Sequence, residues 1–456
     1  MEGVSFFVLH WQLGFGMNTM MHTLLKHSLR CLPIFLIVIA LPTGAVASDL
    51  PTPAVCFAPG TPAEVVKQAY ERFASSYESH SLAPLMEPNY VLNSRWTSTA
   101  TDGGGLGQGD PTTITWSVVP DGTSISSGVG EPPAGSSLRS FLDSIYGDEA
   151  TWLPVFQQVF DRWGELMGVT YVYEPNDDGS ALPGAGGIVG VRGDVRLSGH
   201  PIDGNYGILA YNYYPNWGDM VIDVPDSFYT NISSNSLRLR NVVAHEHGHG
   251  LGLGHSCPLN QTKLMEPYLT TAFDGPQHDD ILATNRAYGD RFEHDDTPAT
   301  SAELGAVSST TVDTLSIDDN ADTDVFGLIA GDGAVLDVTV TPIGTTYLAG
   351  PQNGDGSCSA GTPFDSLRIH DLALRVLDVD GTTELASADL GGLGDPEELT
   401  GVDLASGAGE YFVEIMGDTT NSAQLLELSL SVSPSLEVFA DGFESGNLSA
   451  WSDSSL

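Results

Sequence analysis

Basic residues are what this chain lacks most. Sixteen Lys and Arg stand against 59 Asp and Glu in 456 residues, a formal net charge of −43. A field of that sign repels phosphate backbones and anionic headgroups, which excludes nucleic acid and an anionic membrane surface as partners. Long apolar runs are also lacking. The stretch from Cys31 to Ala40 is the most apolar, and Pro42 and Gly44 end it too soon for a membrane anchor. Cysteine is scarce, with four in the whole chain. That leaves room for one disulfide once a leader is removed.

What is present at the N-terminus reads as a secretory leader. Lys26 and Arg30 give a basic start, the apolar run follows, and Ala45-Val46-Ala47 is a small-residue cleavage site. Cutting after Ala47 puts the mature protein outside the cytoplasm, without a membrane anchor. Residues 1–16 fit no part of a leader, so Met17, Met20 or Met21 can be the true start. The cut removes Cys31 and leaves Cys56, Cys257 and Cys358. We expect Cys56 to pair with Cys257, because both lie in the N-terminal half.

The chemistry is concentrated in His245-Glu246-His247-Gly248-His249-Gly250-Leu251-Gly252-Leu253-Gly254-His255. His245 and His249 are four apart, so on a helix they share one face and can hold one ion. Gly252 can take a left-handed backbone, end the helix and let His255 return as a third imidazole. Three neutral nitrogens leave a fourth position open, as in a catalytic zinc site. Glu246, beside the first ligand, can serve as general base on the metal's water. His247 points to another face of the helix and reads as a packing or surface residue. His278 reads as a polar helix start. Met265, ten residues past His255, would alone be an ordinary core residue.

Together these residues resemble the metzincin zinc peptidases, whose third mark is a methionine turn beneath the histidines. Within that clan the wording is similar to the matrixins. Val243 to His249 and Leu251 to Ser256 resemble their active-site helix and loop. Arg95-Trp96 and Thr112 to Trp116 resemble their opening strand, and Phe156 to Trp163 their first long helix. Ala287-Tyr288-Gly289 resembles the end of their last helix. The resemblance implies that Leu209 and Ala210 belong to the edge strand that aligns substrate, and that Tyr268 to Phe273 wall the main specificity pocket. It implies calcium at Asp203 and Asp223; turn and strand-end aspartates are the plainer reading of both. Tyr211 and Val221 stand where matrixins have histidines for a second, structural zinc, so that site is expected to be absent. Pro267 stands where astacins and serralysins carry a tyrosine ligand. By the same resemblance Cys56 can approach the metal as a prosegment cysteine does, although the family's Pro-Arg-Cys-Gly signature is missing.

The expected fold is α+β: a metzincin-type catalytic domain, with a mixed twisted sheet, long helices and zinc in the cleft, followed by an all-β sandwich. Residues 48–90 read as a prosegment with a helix over Ala63 to Tyr77, and 91–292 as the catalytic domain. In the catalytic domain, strands are expected at Thr113–Val119, Val169–Tyr173, Gly187–Leu197 and Ile208–Tyr213. Helices are expected at Leu153–Leu166 and Ser236–Leu251. Glu293 to Thr300 reads as a polar linker. Residues 293–434 carry short alternating strands, and words such as Asp322-Thr323-Asp324-Val325-Phe326 resemble a bacterial pre-peptidase C-terminal domain. Residues 435–456 form a tail. The reading is a secreted, monomeric zinc endopeptidase with one catalytic zinc, acting on protein or peptide substrates. Its rival is a secreted binding or adhesion protein with a structural zinc and a working β-sandwich.

Overall fold

The computed structural model describes residues 52–74, 85–87, 90–184 and 186–434. The leader, the Ala47 cleavage site and the tail after residue 434 lie outside the described residues. No described helix is long and apolar enough to cross a membrane.

A six-stranded sheet organises the N-terminal part. Its order is Ala54–Phe57, Ile208–Asn212, Met220–Asp223, Val195–His200, Thr112–Val118 and Val169–Tyr173. The last four run parallel to one another. Ile208–Asn212 and Ala54–Phe57 are antiparallel additions at one side. The helix Glu149–Gly164 covers the sheet with Trp152, Val155, Phe156, Val159, Phe160 and Trp163, all buried. Their spacing of three and four is one helical stripe, and the Asp148 carboxylate caps its start by accepting from Thr151 N. Trp163 Nε1 donates to Ala244 O at 3.3 Å, which fixes this helix against the histidine-bearing helix Ser233–Gly250.

Two expectations change here. The segment 187–194 is mainly loop, and the strand begins at Val195. Asp194 explains the boundary: its carboxylate accepts from Ala100 N, Thr115 N and Thr115 Oγ1, so it staples a loop rather than joining a ladder. The histidine-bearing helix is regular only from Leu237, because Ser234, Asn235 and Ser236 carry positive φ of 53°, 55° and 58°.

The C-terminal part is a sandwich. One sheet has five strands in the order Ala302–Gly305, Thr323–Ala330, Gly409–Met416, Ala373–Leu377, Glu384–Ala388. The other has four: Ser309–Ile317, Gln424–Ser433, Ala334–Ile343, Glu397–Leu404. Alternating apolar side chains from both, such as Leu336, Val338, Val340, Val413 and Ile415, fill one core. A third, three-stranded sheet joins the two parts, because Ser256–Cys257 pairs with Thr346–Pro351, which pairs with Thr362–Asp365.

That joining sheet corrects the expected disulfide. Cys257 bonds to Cys358, with Cα atoms 5.5 Å apart, and Cys56 is a free, buried thiol. The cause is the pairing itself: Cys257 lies opposite Gly350, and Gln352 bridges to Cys358, so the hairpin brings the sulfurs together. Sequence distance misled because the contact is non-local.

Candidate metal centre and cleft

Each imidazole of the triad is aimed by its far nitrogen. His245 Nδ1 lies 2.7 Å from Leu264 O, and His249 Nδ1 lies 2.7 Å from Leu253 O. His255 Nδ1 lies 2.6 Å from Gln352 Oε1 and 3.2 Å from Tyr70 Oη. With Nδ1–H donated to these acceptors, all three Nε2 atoms carry lone pairs. Those lone pairs converge: the Nε2–Nε2 distances are 3.1, 3.2 and 3.3 Å. Three lone pairs so close repel one another unless a cation lies among them. Nitrogens held at 2.0–2.1 Å from a tetrahedral zinc sit roughly 3.3 Å apart, so the donor set fits that ion. Burial and mutual repulsion also hold the rings neutral, with His245 pushed down to about 3 and His255 to about 4. Neutral imidazole is the ligating form.

The backbone that returns His255 needs glycine. Gly252 has φ of +108°, and a Cβ there would lie 1.8 Å from Ser94 O. Gly248 is equally constrained, since a Cβ would lie 2.4 Å from Met265 Sδ. Met265 therefore lies directly beneath the helix. Its turn is held by the buried Asp280 carboxylate, which accepts from Leu264 N at 2.8 Å and Met265 N at 3.1 Å.

Glu246 is wholly buried; its carboxylate makes no well-formed hydrogen bond, and the one donor directed at it is the backbone amide of Cys56. Burial pushes its carboxyl well above the usual range. His247 turns away, its ring between Phe160 and Tyr171 and its Nε2 2.7 Å from Tyr171 Oη. His278 starts the helix His278–Tyr288 and meets Ser366 Oγ at 2.8 Å.

The cleft beside this centre holds the chain's own residues. Ala54–Phe57 pairs antiparallel with Ile208–Asn212, with Cys56 opposite Ala210. Leu209 and Ala210 therefore lie one strand in from the edge, which corrects the expected free edge. On its other side the strand is tied to the segment after Met265: Phe57 N donates to Pro267 O, and Leu269 N donates to Phe57 O. Cys56, His245 and Glu246 each offer a donor atom within 4.8 Å of the other two. The helix Ala63–Ala74 follows, and its Tyr70 Oη donates to Gln352 Oε1 at 2.6 Å.

Backbone amides hold the two aspartates tied to calcium above. Asp223 accepts from Ile202 N and Gly204 N, and Asp203 accepts from Ile208 N. The Tyr211 position is used differently again. Tyr211 Oη donates to the buried Glu131 at 2.8 Å, and His200 Nε2 lies 3.2 Å from the same oxygen.

Residues 148–289 match the family model described as Matrixin. This segment is matrixin-like. Among curated proteins, metalloendoproteinase 4-MMP of Arabidopsis thaliana is 34% identical over 22% of this chain and 30% of its own. Karilysin of Tannerella forsythia is 32% identical over 30% of this chain and 28% of its own. Interstitial collagenase of Equus caballus is 31% identical over 29% of this chain and 27% of its own. The chain thus spans about a third of the length of these relatives. Among solved structures, a pre-peptidase C-terminal domain of collagenase from Bacillus anthracis aligns over 29% of this chain and 94% of its own, at 13% identity and a TM-score of 0.18.

Gln352, Tyr70 and Cys358 were not legible as parts of the matrixin-like site. Gln352 lies 97 residues after His255 and orients it from the second domain. Acceptors of this kind raise ligand basicity and fix the tautomer, and losing one typically costs 10–100-fold in metal affinity. Gln352→Ala should weaken zinc binding by about that factor. Competition against a chelator measures it, and a dissociation constant within twofold of wild type would show that Gln352 does not position His255.

Proposed function

We propose that this chain is a secreted, monomeric zinc endopeptidase that cleaves protein or peptide substrates and whose cleft is filled by its own N-terminal strand until that strand is displaced. The convergence of three imidazole lone pairs beside the wholly buried Glu246 carries this reading. The relatives' printed names, metalloendoproteinase and collagenase, support it. Secretion rests on the basic start, apolar run and Ala45-Val46-Ala47 of the N-terminus.

Zinc, when bound, supplies a Lewis acid that polarises the scissile carbonyl and makes water acidic enough to react near neutral pH. The chain's residues do the rest. His245, His249 and His255 would hold the ion. Glu246 takes a proton from the attacking water and passes it to the leaving amine. A substrate strand replaces Ala54–Phe57 on Ile208–Asn212, gaining backbone hydrogen bonds beside Leu209 and Ala210. Tyr268 to Phe273 form the facing wall. A structural zinc would not need a buried acid such as Glu246 beside its histidines, which favours the peptidase reading over the adhesion alternative.

The test is cleavage of denatured casein by the secreted protein after brief proteolytic activation. Chelation should abolish cleavage, and stoichiometric zinc should restore it. Cleavage that survives full removal of metal would overturn the assignment.

A further inference from the structure

A second group of acids lies far from the histidines, where the two domains meet. The helix His278–Tyr288 ends at Gly289, and the chain continues through Asp290, Glu293 and Asp295. The turn between Ser309–Ile317 and Thr323–Ala330 brings Asp318, Asp322 and Asp324 to the same place. The segment expected to be a solvated linker is partly interior: Asp295 is 1% exposed and Asp324 0%.

These carboxylates are not satisfied by the protein. Both oxygens of Asp324 and both of Asp295 lack hydrogen-bond partners, as do Glu293 Oε1, Asp318 Oδ2 and Asp322 Oδ1. Backbone encloses them, since a Cβ on Gly109 would lie 2.3 Å from Asp318 Oδ2, and one on Gly289 2.6 Å from Glu293 Oε1. Arg286, a nearby cation, is engaged elsewhere, with Asp318 O, Asn421 Oδ1 and Asp319. Among the described residues no ion pair reaches Glu293, Asp295, Asp322 or Asp324. Glu293, Asp322 and Asp324 each offer an oxygen within 4.8 Å of the others.

Buried carboxylates left facing one another cost several kcal/mol unless protonated or matched by a cation. Protonation would remove the charge but supply no partner, since these unmatched oxygens meet no backbone or side-chain donor of the rest of the chain. A cation answers both problems. An all-oxygen donor set selects a hard ion, and calcium accepts about six to eight oxygens at about 2.3–2.6 Å in flexible geometry. Magnesium requires tighter, near-octahedral geometry and retains several waters.

We propose that Glu293, Asp322 and Asp324, with Asp295 beside them, bind a calcium-class divalent cation that fastens the end of the N-terminal domain to the first turn of the β-sandwich. The mutual repulsion that raises Glu293, Asp295 and Asp322 supports it: burial and neighbouring acids drive all three up, Asp322 to about 9.

Full-length protein stripped with chelator is titrated with CaCl₂ by calorimetry, and its thermal unfolding is followed with and without the ion. Wild type should bind calcium and gain several degrees in Tm. Asp322→Asn/Asp324→Asn removes two charges, so stripped protein should melt higher than stripped wild type, yet its calcium response should fall at least tenfold in affinity. Glu293→Gln, at the rim, should weaken binding in the same direction even if the double variant folds poorly. Asp203→Asn/Asp223→Asn should leave this binding event intact. Equal stabilisation by MgCl₂, or a calcium response undiminished in both cluster variants, would overturn the proposal.

Discussion

Phe57→Ala in the full chain is expected to raise kcat/KM on a peptide substrate by on the order of 10²-fold. Phe57 is the anchor of the strand in the cleft. Its side chain is wholly buried, with ring centroids 6.4 Å from Tyr70 and 6.1 Å from Tyr268. Its backbone is tied on both sides, to Ile208–Asn212 and to the segment 267–269. Truncating a buried Phe to Ala typically costs about 3–5 kcal/mol. The strand need only open locally, so much of that cost falls on docking. Each 1.4 kcal/mol is about tenfold in the open fraction. Hydrogen exchange at residues 54–57 reports the opening separately. Faster exchange without faster cleavage would mean that the strand is structural rather than inhibitory.

Glu246→Ala should have the opposite effect on activity, with little or no loss of stability. Removing a positioned proton-transfer group costs about 10²–10⁴-fold in rate. A buried carboxylate without a well-formed hydrogen bond is a liability to the fold of about 1–3 kcal/mol, which its removal relieves. The one lost methylene returns about 0.8 kcal/mol to the cost side, so the net change in Tm is small or upward. Zinc content should stay at one per chain, because Glu246 is not among the converging nitrogens. A variant that loses zinc or melts far below wild type would place Glu246 in the structural frame rather than in proton transfer. Such a separation of stability from activity is the usual mark of a functional residue.

The histidine triad was legible because its information is local. Helical spacing of four, one glycine and a short return bring His245, His249 and His255 together without any distant contact. The Met265 turn was readable for the same reason, and the helix Ala63–Ala74 followed from its apolar period. The short alternating strands expected over residues 293–434 are present, among them Ala334–Ile343 and Gln424–Ser433. What could not be read depends on pairings across the chain. Nothing in Ala54-Val55-Cys56-Phe57 says that it docks on Ile208–Asn212. Nothing near Cys358 says that a hairpin will carry it to Cys257. Short strands such as Met220–Asp223 lack a full period and were missed. The sandwich aspartates can be read from sequence as calcium ligands or, more plainly, as turn caps, and Glu293 and Asp295 as part of a polar linker; burial, which decides between such readings, is a property of the assembled layers.

The bond between Cys257 and Cys358 closes a covalent ring of chain that contains the whole junction between the domains, including Asp290 to Thr300. A protease that cuts within that ring makes a nick, not a separation. The sandwich would stay tethered beside His255, with Gln352 still within reach of it, and only reduction of the bond would let the two halves part.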